Sequence, residues 1–201
     1  NQLFYICFTH YIVYWIFVSF SIPIGIYYKK PQWNNKAYQT VLLVLFNQIV
    51  ISPIPYLILY NLDDPILFHW IHGVWQIPLI SFLYDGLFYY IHRLFHTRYL
   101  YYNIHKIHHT FVDPIAIGAL YSHPIEHFSC NIFPLIFSMW ITRCSFEIQM
   151  LITISGTINT IFAHMNIKKN DEHAIHHLKF KYNYGFGNFF FDKLHGTYLK
   201  N

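Results

Sequence analysis

Three apolar runs constrain the fold of this chain, because each is long enough to cross a membrane as a helix. They cover residues 3 to 28, about Ala37 to Tyr60, and about Trp70 to Ile91. A hydrocarbon core of about 30 Å needs roughly 20 apolar residues in helical form. Of the 201 residues, 55% are hydrophobic and only 11% are charged, more apolar surface than a soluble domain can bury. The sequence therefore predicts an all-α integral membrane protein.

A fourth apolar stretch covers residues 128 to 163 and carries Arg143 and Glu147 near its middle. These two charges predict two short helices that form a hairpin or a re-entrant pair. The total is about four transmembrane helices or helical hairpins. No internal repeat, linker or low-complexity tail divides the sequence. We therefore expect a single membrane domain, residues 1–201, with N-terminal spans in residues 1–80 and a catalytic region in residues 81–201.

The distribution of basic residues predicts the orientation in the membrane. The 29 to 36 loop, the 93 to 106 segment and the tail from Lys168 onward are rich in lysine or arginine and should share the cytoplasmic side. Three spans and a hairpin put the histidines from His92 to His195 on that same side, in a cytoplasmic helical cap. The net charge of +4 is small and dispersed among aromatic residues, so a nucleic-acid partner is not expected.

Three histidine motifs carry the chemistry of the chain: HRLFH, HKIHH and HAIHH. Their histidines are spaced by three or four residues, so that members of one motif can share a helix face. Fifteen histidines in 201 residues make one HxxHH motif rare by chance and two rarer still. The eight candidate ligands are His92, His96, His105, His108, His109, His173, His176 and His177.

The number and type of these side chains predict a centre with two metal ions. Neutral imidazole suits iron, copper, zinc and nickel, whereas calcium and magnesium prefer oxygen ligands. Eight histidines are too many for one tetrahedral ion but divide well between two. His164, where the apolar hairpin ends, is either a ninth ligand or a structural residue.

The other histidines are weaker candidates. His123 and His127 have HxxxH spacing, but the proline after His123 argues against a helix that continues through it, so direct ligation is the less favoured reading. His10, His69 and His72 are expected to be interfacial or hydrogen-bonded rather than ligands. His195 is expected on the surface or supporting a ligand.

Several polar residues near the motifs could orient the ligands. Asp85 and Tyr89 precede His92 by seven and three residues and share its helix face. A carboxylate at membrane depth is costly, so Asp85 is expected to accept a hydrogen bond from a ligand imidazole, with a helix-packing hydrogen bond as the alternative. Glu126, Asp171 and Glu172 could act similarly or be solvated.

The three motifs, in this order, resemble the eight-histidine pattern of the fatty acid hydroxylase and sterol desaturase superfamily. AIGALYSHPIEHF resembles the segment after the second motif in sphingoid-base hydroxylases and methylsterol oxidases, and NYGFGNFFFDKLHGTY resembles the closing elements of the family. The likeness covers about Asp85 to Lys200. It implies that the eight motif histidines bind iron, that His164 matches a family histidine, and that Asp85, Tyr89 and Asn183 support the ligands.

The resemblance also implies a reaction. Two iron ions would use O2 to hydroxylate or desaturate a C–H position of a sterol, sphingoid base or fatty acyl lipid. Electrons would come from an external cytochrome or reductase, because no flavin or nicotinamide fingerprint is present. In a eukaryote, the expected location is a membrane of the endoplasmic reticulum type. The short segment between His164 and His173 leaves the subfamily open, and the oligomeric state is not predicted.

Other functional classes remain as alternatives at this point. A non-enzymatic, histidine-rich membrane protein could bind metal or haem, although haem needs single histidines on facing helices rather than adjacent pairs. A zinc or iron transporter would place polar residues through the middle of the bilayer. A non-catalytic relative could keep the fold.

Overall fold

Helices form all the regular structure of the residues that the structure describes, which are 2–27, 36–59, 70–165 and 172–200 of a computed structural model. The α-helices are α1 (Gln2–Tyr27), α2 (Lys36–Phe46), α3 (Pro53–Leu59), α4 (Trp70–Phe95), α5 (Arg98–Asn103), α6 (Pro124–Glu126), α7 (Phe133–Ile141), α8 (Phe146–Met165), α9 (Glu172–Lys179) and α10 (Phe190–Leu194). Two π-helical segments, Asn47–Ile51 and His127–Ile132, continue α2 and α6, and 3-10 helices cover His105–Thr110 and Ala116–Gly118.

Three helical stretches are long and apolar enough to cross a membrane: Gln2–Ile24, Gln39–Leu59 and Phe146–Met165. The first two are the first two predicted spans. The third is α8, with 20 residues. The prediction of two helices in residues 128 to 163 is confirmed by α7 and α8, which are divided at Arg143, but α8 is longer than the short helix that was expected. Glu147 lies in the first turn of α8 and does not interrupt it.

The third predicted span corresponds to α4, a helix of 26 residues that is not among the three apolar stretches. Its apolar sequence is broken by polar side chains, of which Gln76 and Asp85 are buried. The Gln76 amide donates to the carbonyl of Thr142 at 3.1 Å, which ties α4 to the end of α7. The total of about four membrane crossings and the cytoplasmic position of the cap stay predictions.

The first helix packs along α8, and this pair brings the N-terminal half of the chain to the histidine region. Tyr14 and Val18 of α1 and Ile161 of α8 are buried in one core cluster. The opposite side of α1 exposes large apolar side chains, such as Phe8 at 52% and Phe20 at 71%. An apolar outer surface of this kind is what a helix facing lipid requires.

Residues 116 to 122, which follow the second histidine motif, are held in place by the N-terminal helices. The Asn47 amide donates to the carbonyls of Leu120 at 3.1 Å and Ser122 at 2.9 Å. The Tyr14 hydroxyl donates to the carbonyl of Ile117 at 2.9 Å. These bonds satisfy buried backbone acceptors and tie this segment to the two N-terminal helical stretches.

Replacing Asn47 with leucine should destabilise the fold, because it removes the donor to the Ser122 carbonyl and leaves the Leu120 carbonyl with only the backbone N–H of Ser122, while keeping the side-chain volume. We expect a loss of about 1–3 kcal/mol in the free energy of unfolding. Thermal unfolding in detergent measures it, with Val50→Leu, on the exposed side of the same π-helical segment, as the control. Equal unfolding temperatures for both variants would contradict this role of Asn47.

Candidate metal centre

Nine histidines bring their ring nitrogens together in two groups. The first, called here the five-histidine group, has nitrogens that all lie within 4.8 Å of one another and consists of His92, His96, His105, His109 and His176. The second, the four-histidine group, meets the same criterion and consists of His108, His164, His173 and His177. All eight motif histidines are included, together with His164.

The two groups lie side by side because each His-His pair is divided between them. His108 belongs to the four-histidine group and His109 to the five-histidine group. His176 belongs to the five-histidine group and His177 to the four-histidine group. The ring centroids of His109 and His177 are 4.5 Å apart. Adjacent residues of a helix point about 100° apart, so one pair can serve two neighbouring sites. The first motif therefore contributes both of its histidines to one group, whereas the second and third motifs each contribute to both groups.

Four different local structures present the histidines. His92 is in the last turn of α4, and His96 follows directly after that helix. The second motif forms a 3-10 helix, His105–Thr110, rather than the α-helix that its spacing suggested. The third motif is on α9, and His164 is in the last turn of α8.

Within the five-histidine group, the Nε2 atoms face one another at very short range. The Nε2 atom of His105 is 3.2 Å from that of His92, 2.9 Å from that of His96 and 3.0 Å from that of His109. His96 and His176 approach to 3.1 Å through the same atoms.

In the four-histidine group, Nε2 atoms also lie close to one another. The Nε2 atom of His173 is 3.0 Å from that of His164 and 3.1 Å from that of His177. The His108 ring completes this group, with its centroid 4.8 Å from that of His177.

Hydrogen bonds on the other side of the rings define which nitrogen carries the proton. The His92 Nδ1–H donates to the carbonyl of Tyr184 at 2.7 Å. The His176 Nδ1–H donates to the carbonyl of Tyr182, also at 2.7 Å. Neutral imidazole has one N–H, so the Nε2 atoms of these rings carry lone pairs.

Two further histidines have the same arrangement. The His164 Nδ1–H donates to the carbonyl of Thr160 at 2.8 Å, and the His105 Nδ1–H donates to Oε1 of the buried Glu126 at 2.8 Å when that carboxyl group is ionised or carries its proton on Oε2. The Nε2 atoms of His92 and His105 thus face each other with no hydrogen between them. A cation between such lone pairs removes their repulsion, so this donor set fits metal ions.

The pKa values of the histidines outside the apolar spans agree with neutral rings. Burial, followed by repulsion from neighbouring imidazoles, holds the pKa of His105 well below its usual range and lowers that of His96 to about 2. Burial lowers the pKa of His108 and of His176 to about 4. Burial also raises the pKa of Glu126 well above its usual range.

The C-terminal loop that holds His92 and His176 is itself fixed by two carboxylates. Asp192 accepts the backbone N–H of Tyr184 at 2.8 Å and that of Gly185 at 2.6 Å. Asp85 accepts the N–H of Phe186 at 3.1 Å. The prediction that Asp85 binds a ligand imidazole was therefore wrong, because the loop backbone lies between that carboxylate and His92.

Asn183 and Tyr89 also act through the C-terminal segment. The Asn183 amide donates to the carbonyls of Glu172 and Leu199 at 3.0 and 2.8 Å, and its oxygen accepts the N–H of Leu199 at 2.8 Å. Tyr89 is hydrogen-bonded to the Thr197 hydroxyl at 3.1 Å. Neither side chain forms a hydrogen bond with a ring of the two groups.

The weaker histidine candidates lie outside both groups. The His123 side chain caps α6 by accepting the N–H of Ile125 at 3.2 Å, which agrees with a helix beginning at the proline. His127 is fully buried and pairs with the Ser52 hydroxyl at 2.9 Å. His195 is exposed and pairs with the Tyr90 hydroxyl at 2.9 Å.

The remaining expectations concern two acidic residues before the third motif and two histidines near the start of α4. Glu172 accepts a hydrogen bond from the Tyr198 hydroxyl at 3.2 Å rather than from an imidazole. His69, Asp171 and the side chain of His72 lie outside the described residues.

A largely apolar cavity of about 320 Å³ leads to the metal-binding groups. His92, His108, His164 and His173 line one part of it, and apolar side chains such as Ile6, Ile80 and Ile136 line another. Ligand cavities of this size commonly hold a small or chain-like organic molecule.

Asp192 is a functional residue that the sequence motifs did not single out. It is fully buried, and besides the loop N–H groups it accepts the Thr197 hydroxyl at 2.8 Å. An acidic side chain inside the aromatic run FFFDKL was the available signal, because a carboxylate in such surroundings is usually paired.

Comparison with known proteins agrees with the motifs. The model of the family described as "Fatty acid hydroxylase" matches residues 77–197. The fatty acid hydroxylase domain-containing protein 2 of Homo sapiens is 35% identical in an alignment of length 190 that covers 84% of this chain and 54% of the relative. The chain thus spans about half the length of this relative. No solved structure matches the chain.

Two further relatives have names that specify a reaction. The sphinganine C4-monooxygenase 1 of Arabidopsis thaliana is 30% identical over 55% of this chain and 49% of the relative. A delta(7)-sterol 5(6)-desaturase of Leptosphaeria maculans is 30% identical over 62% of this chain and 37% of the relative.

Replacing Gly185 with alanine should disturb the metal centre from outside it. The new Cβ would lie 2.7 Å from Oδ2 of Asp192 and 3.0 Å from Oδ1 of Asp85, so the loop must move and Tyr184 with it. We expect metal affinity about tenfold weaker and a stability loss of about 1–3 kcal/mol. Metal titration and thermal unfolding measure the two effects.

Gly156→Ala is the matched control, since its Cβ would meet nothing within 4 Å. If both alanine variants bind metal as the unchanged protein does, the loop does not position His92.

Proposed function

The chain belongs to the fatty acid hydroxylase family, and on this premise we propose that it is a membrane oxidoreductase that uses two iron ions and O2 to hydroxylate or desaturate a lipid C–H position. The observation that carries the proposal is the convergence of nine imidazoles at one part of an apolar cavity, where His92, His164 and His176 turn an Nε2 lone pair inward because their Nδ1–H groups donate to carbonyls. Family membership supports a lipid-oxidising enzyme, and the donor set supports iron.

In this proposal the five-histidine group holds one ion and the four-histidine group holds the other. Imidazole is a common ligand of iron, and the Nδ1–H bonds fix the rings so that Nε2 is the binding atom. When bound, the metal pair supplies the O2 activation and the attack on an unactivated C–H bond that amino-acid side chains alone cannot provide.

The chain's own residues would bind and orient the substrate. Apolar side chains of the cavity would hold the hydrocarbon part of the lipid, and the aromatic rings of Phe88 and Phe186 would exclude water beside His92. Dry surroundings strengthen electrostatic interactions at the reacting groups. The names of the relatives support a sphingoid base, a sterol or a fatty acyl lipid as the substrate class.

Electrons would come from an external cytochrome or reductase partner. Exposed basic and aromatic side chains beside the second motif support such a docking face, among them Arg98, Tyr99 and Tyr102. Positive charge and tyrosine are frequent in protein interfaces and favour an acidic partner. We place the histidine groups on the cytoplasmic side, in a membrane of the endoplasmic reticulum type if the source is eukaryotic.

The haem-binding alternative is less compatible with the ring spacing. Haem iron needs its axial histidine with a planar macrocycle around the metal. Nε2 atoms 2.9 to 3.2 Å apart within the five-histidine group leave no space for a macrocycle between the rings.

Lipid analysis of expressing cells tests the proposed reaction. Cells with the unchanged protein should contain a lipid that has gained one oxygen atom or one double bond, and cells with His109→Ala should lack it. His109 is buried in the five-histidine group, so its loss removes a proposed ligand. The control is His195→Ala, at an exposed histidine outside both groups, which should leave the product in place. Identical lipid profiles with and without His109 would exclude the proposed reaction.

A further inference from the structure

One histidine that lines the cavity, His10, belongs to neither the five-histidine group nor the four-histidine group. His10 of α1 lines the cavity, and its Nδ1 atom is 2.8 Å from the hydroxyl oxygen of Thr157 on α8. Its Nε2 atom is buried and has no hydrogen-bond partner among the described residues. A buried polar atom without a partner costs free energy, so this nitrogen is suited to a ligand that supplies one.

The hydrogen-bond chain determines what kind of group that nitrogen can bind. The Thr157 hydroxyl donates its only hydrogen to the carbonyl of Thr153 at 2.7 Å. Its oxygen therefore accepts from His10, which places the proton on Nδ1. Burial disfavours a charged ring, so Nε2 carries a lone pair and acts only as an acceptor.

The position of this acceptor relative to the metal centre follows from the helix that carries Thr157. Thr157 precedes His164 by seven residues on α8, and a rise of 1.5 Å per residue separates them by about 10 Å along the axis. His164 lines the same cavity, as do the apolar Ile6 and Ile152. The cavity thus has an acceptor beside Thr157, about two helical turns along α8 from His164 of the four-histidine group.

We propose that His10 Nε2 accepts a hydrogen bond from a hydroxyl group of the lipid substrate. The inference rests on the proposed function and narrows its substrate class to lipids that carry a hydroxyl group away from the position that is oxidised. A ketone or ester carbonyl has no hydrogen to donate, and a hydrocarbon has no polar group, so neither satisfies this nitrogen. His10 and Thr157 are specificity-determining residues.

A purely structural role would use the same pair differently. A hydrogen bond that only packs α1 against α8 needs Nδ1 of His10 and the Thr157 hydroxyl, and it makes no use of Nε2. The two roles therefore differ in whether the protein distinguishes an alcohol from the matching ketone.

Binding measurements with matched probes separate these roles. The purified full chain in lipid nanodiscs is titrated with cholestanol, cholestanone and cholestane, and with hexadecanol, hexadecanone and hexadecane. Apparent affinity is read from the concentration dependence of the unfolding temperature. In at least one series the alcohol should bind about threefold to tenfold more tightly than its ketone and hydrocarbon, the effect of one hydrogen bond.

Two variants and a control make the test specific. His10→Phe should abolish the preference for the alcohol, whereas Phe8→Leu, at an exposed position of the same helix, should retain it. Thr157→Val should let the proton of His10 move to Nε2, so that the ketone binds as well as the alcohol. This change of preference is not expected from a packing defect.

Equal binding of alcohol, ketone and hydrocarbon, or an alcohol preference that survives His10→Phe, would overturn the proposal. Binding requires no turnover, so this failure is distinct from a failure of the proposed function. A lipid product that depends on His109 together with equal binding of the three probes would reject only the role of His10.

Discussion

The architecture of the metal centre depends on hydrogen bonds made by the outer nitrogens of its histidines. When Nδ1 of His92, His105 and His176 donates to a fixed acceptor, each Nε2 must present a lone pair to the inside. Lone pairs about 3 Å apart repel one another unless a cation lies between them. The same hydrogen bonds that orient the rings therefore make the site suited to metal ions.

Segments far apart in the sequence supply the acceptors for these bonds. The C-terminal loop provides the carbonyls of Tyr182 and Tyr184, and Glu126 comes from the helix after the second motif. The loop depends on Asp85 and Asp192, whose carboxylates bind its backbone N–H groups. The two histidine groups and the segments that support them thus form one interdependent unit.

Residue spacing alone predicted most of the histidines of the candidate site, but not which of them belong to each of the two groups. The three motifs identified eight of the nine histidines, and the end of an apolar run identified His164. The division of each His-His pair between two groups depends on how neighbouring helices are rotated about their axes, which spacing does not specify. The 3-10 form of the second motif was missed for a related reason, because i, i+3 and i, i+4 spacing is compatible with both helix types.

The supporting residues were harder to predict because much of the support is backbone. Carbonyls of Tyr182 and Tyr184 hold two rings, and a backbone acceptor leaves no residue type to recognise. Asp85 was expected to bind an imidazole because the sequence does not show that a loop lies between this carboxylate and His92. The loop residue whose N–H Asp85 accepts, Phe186, is more than ninety residues away in sequence. In the fold, the two long apolar stretches at the N-terminus and α8 are evident from hydropathy. The polar positions of α4 make its relation to the membrane harder to predict.

The most direct test of this account is the number of iron atoms bound by anaerobically purified protein and its histidine variants. The account predicts about two per chain for the unchanged protein. It predicts about one for His105→Ala, in the five-histidine group, and about one for His173→Ala, in the four-histidine group, with two retained in His195→Ala. About one iron in the unchanged protein, or an unchanged content in both His105→Ala and His173→Ala, would contradict a centre built from two histidine groups.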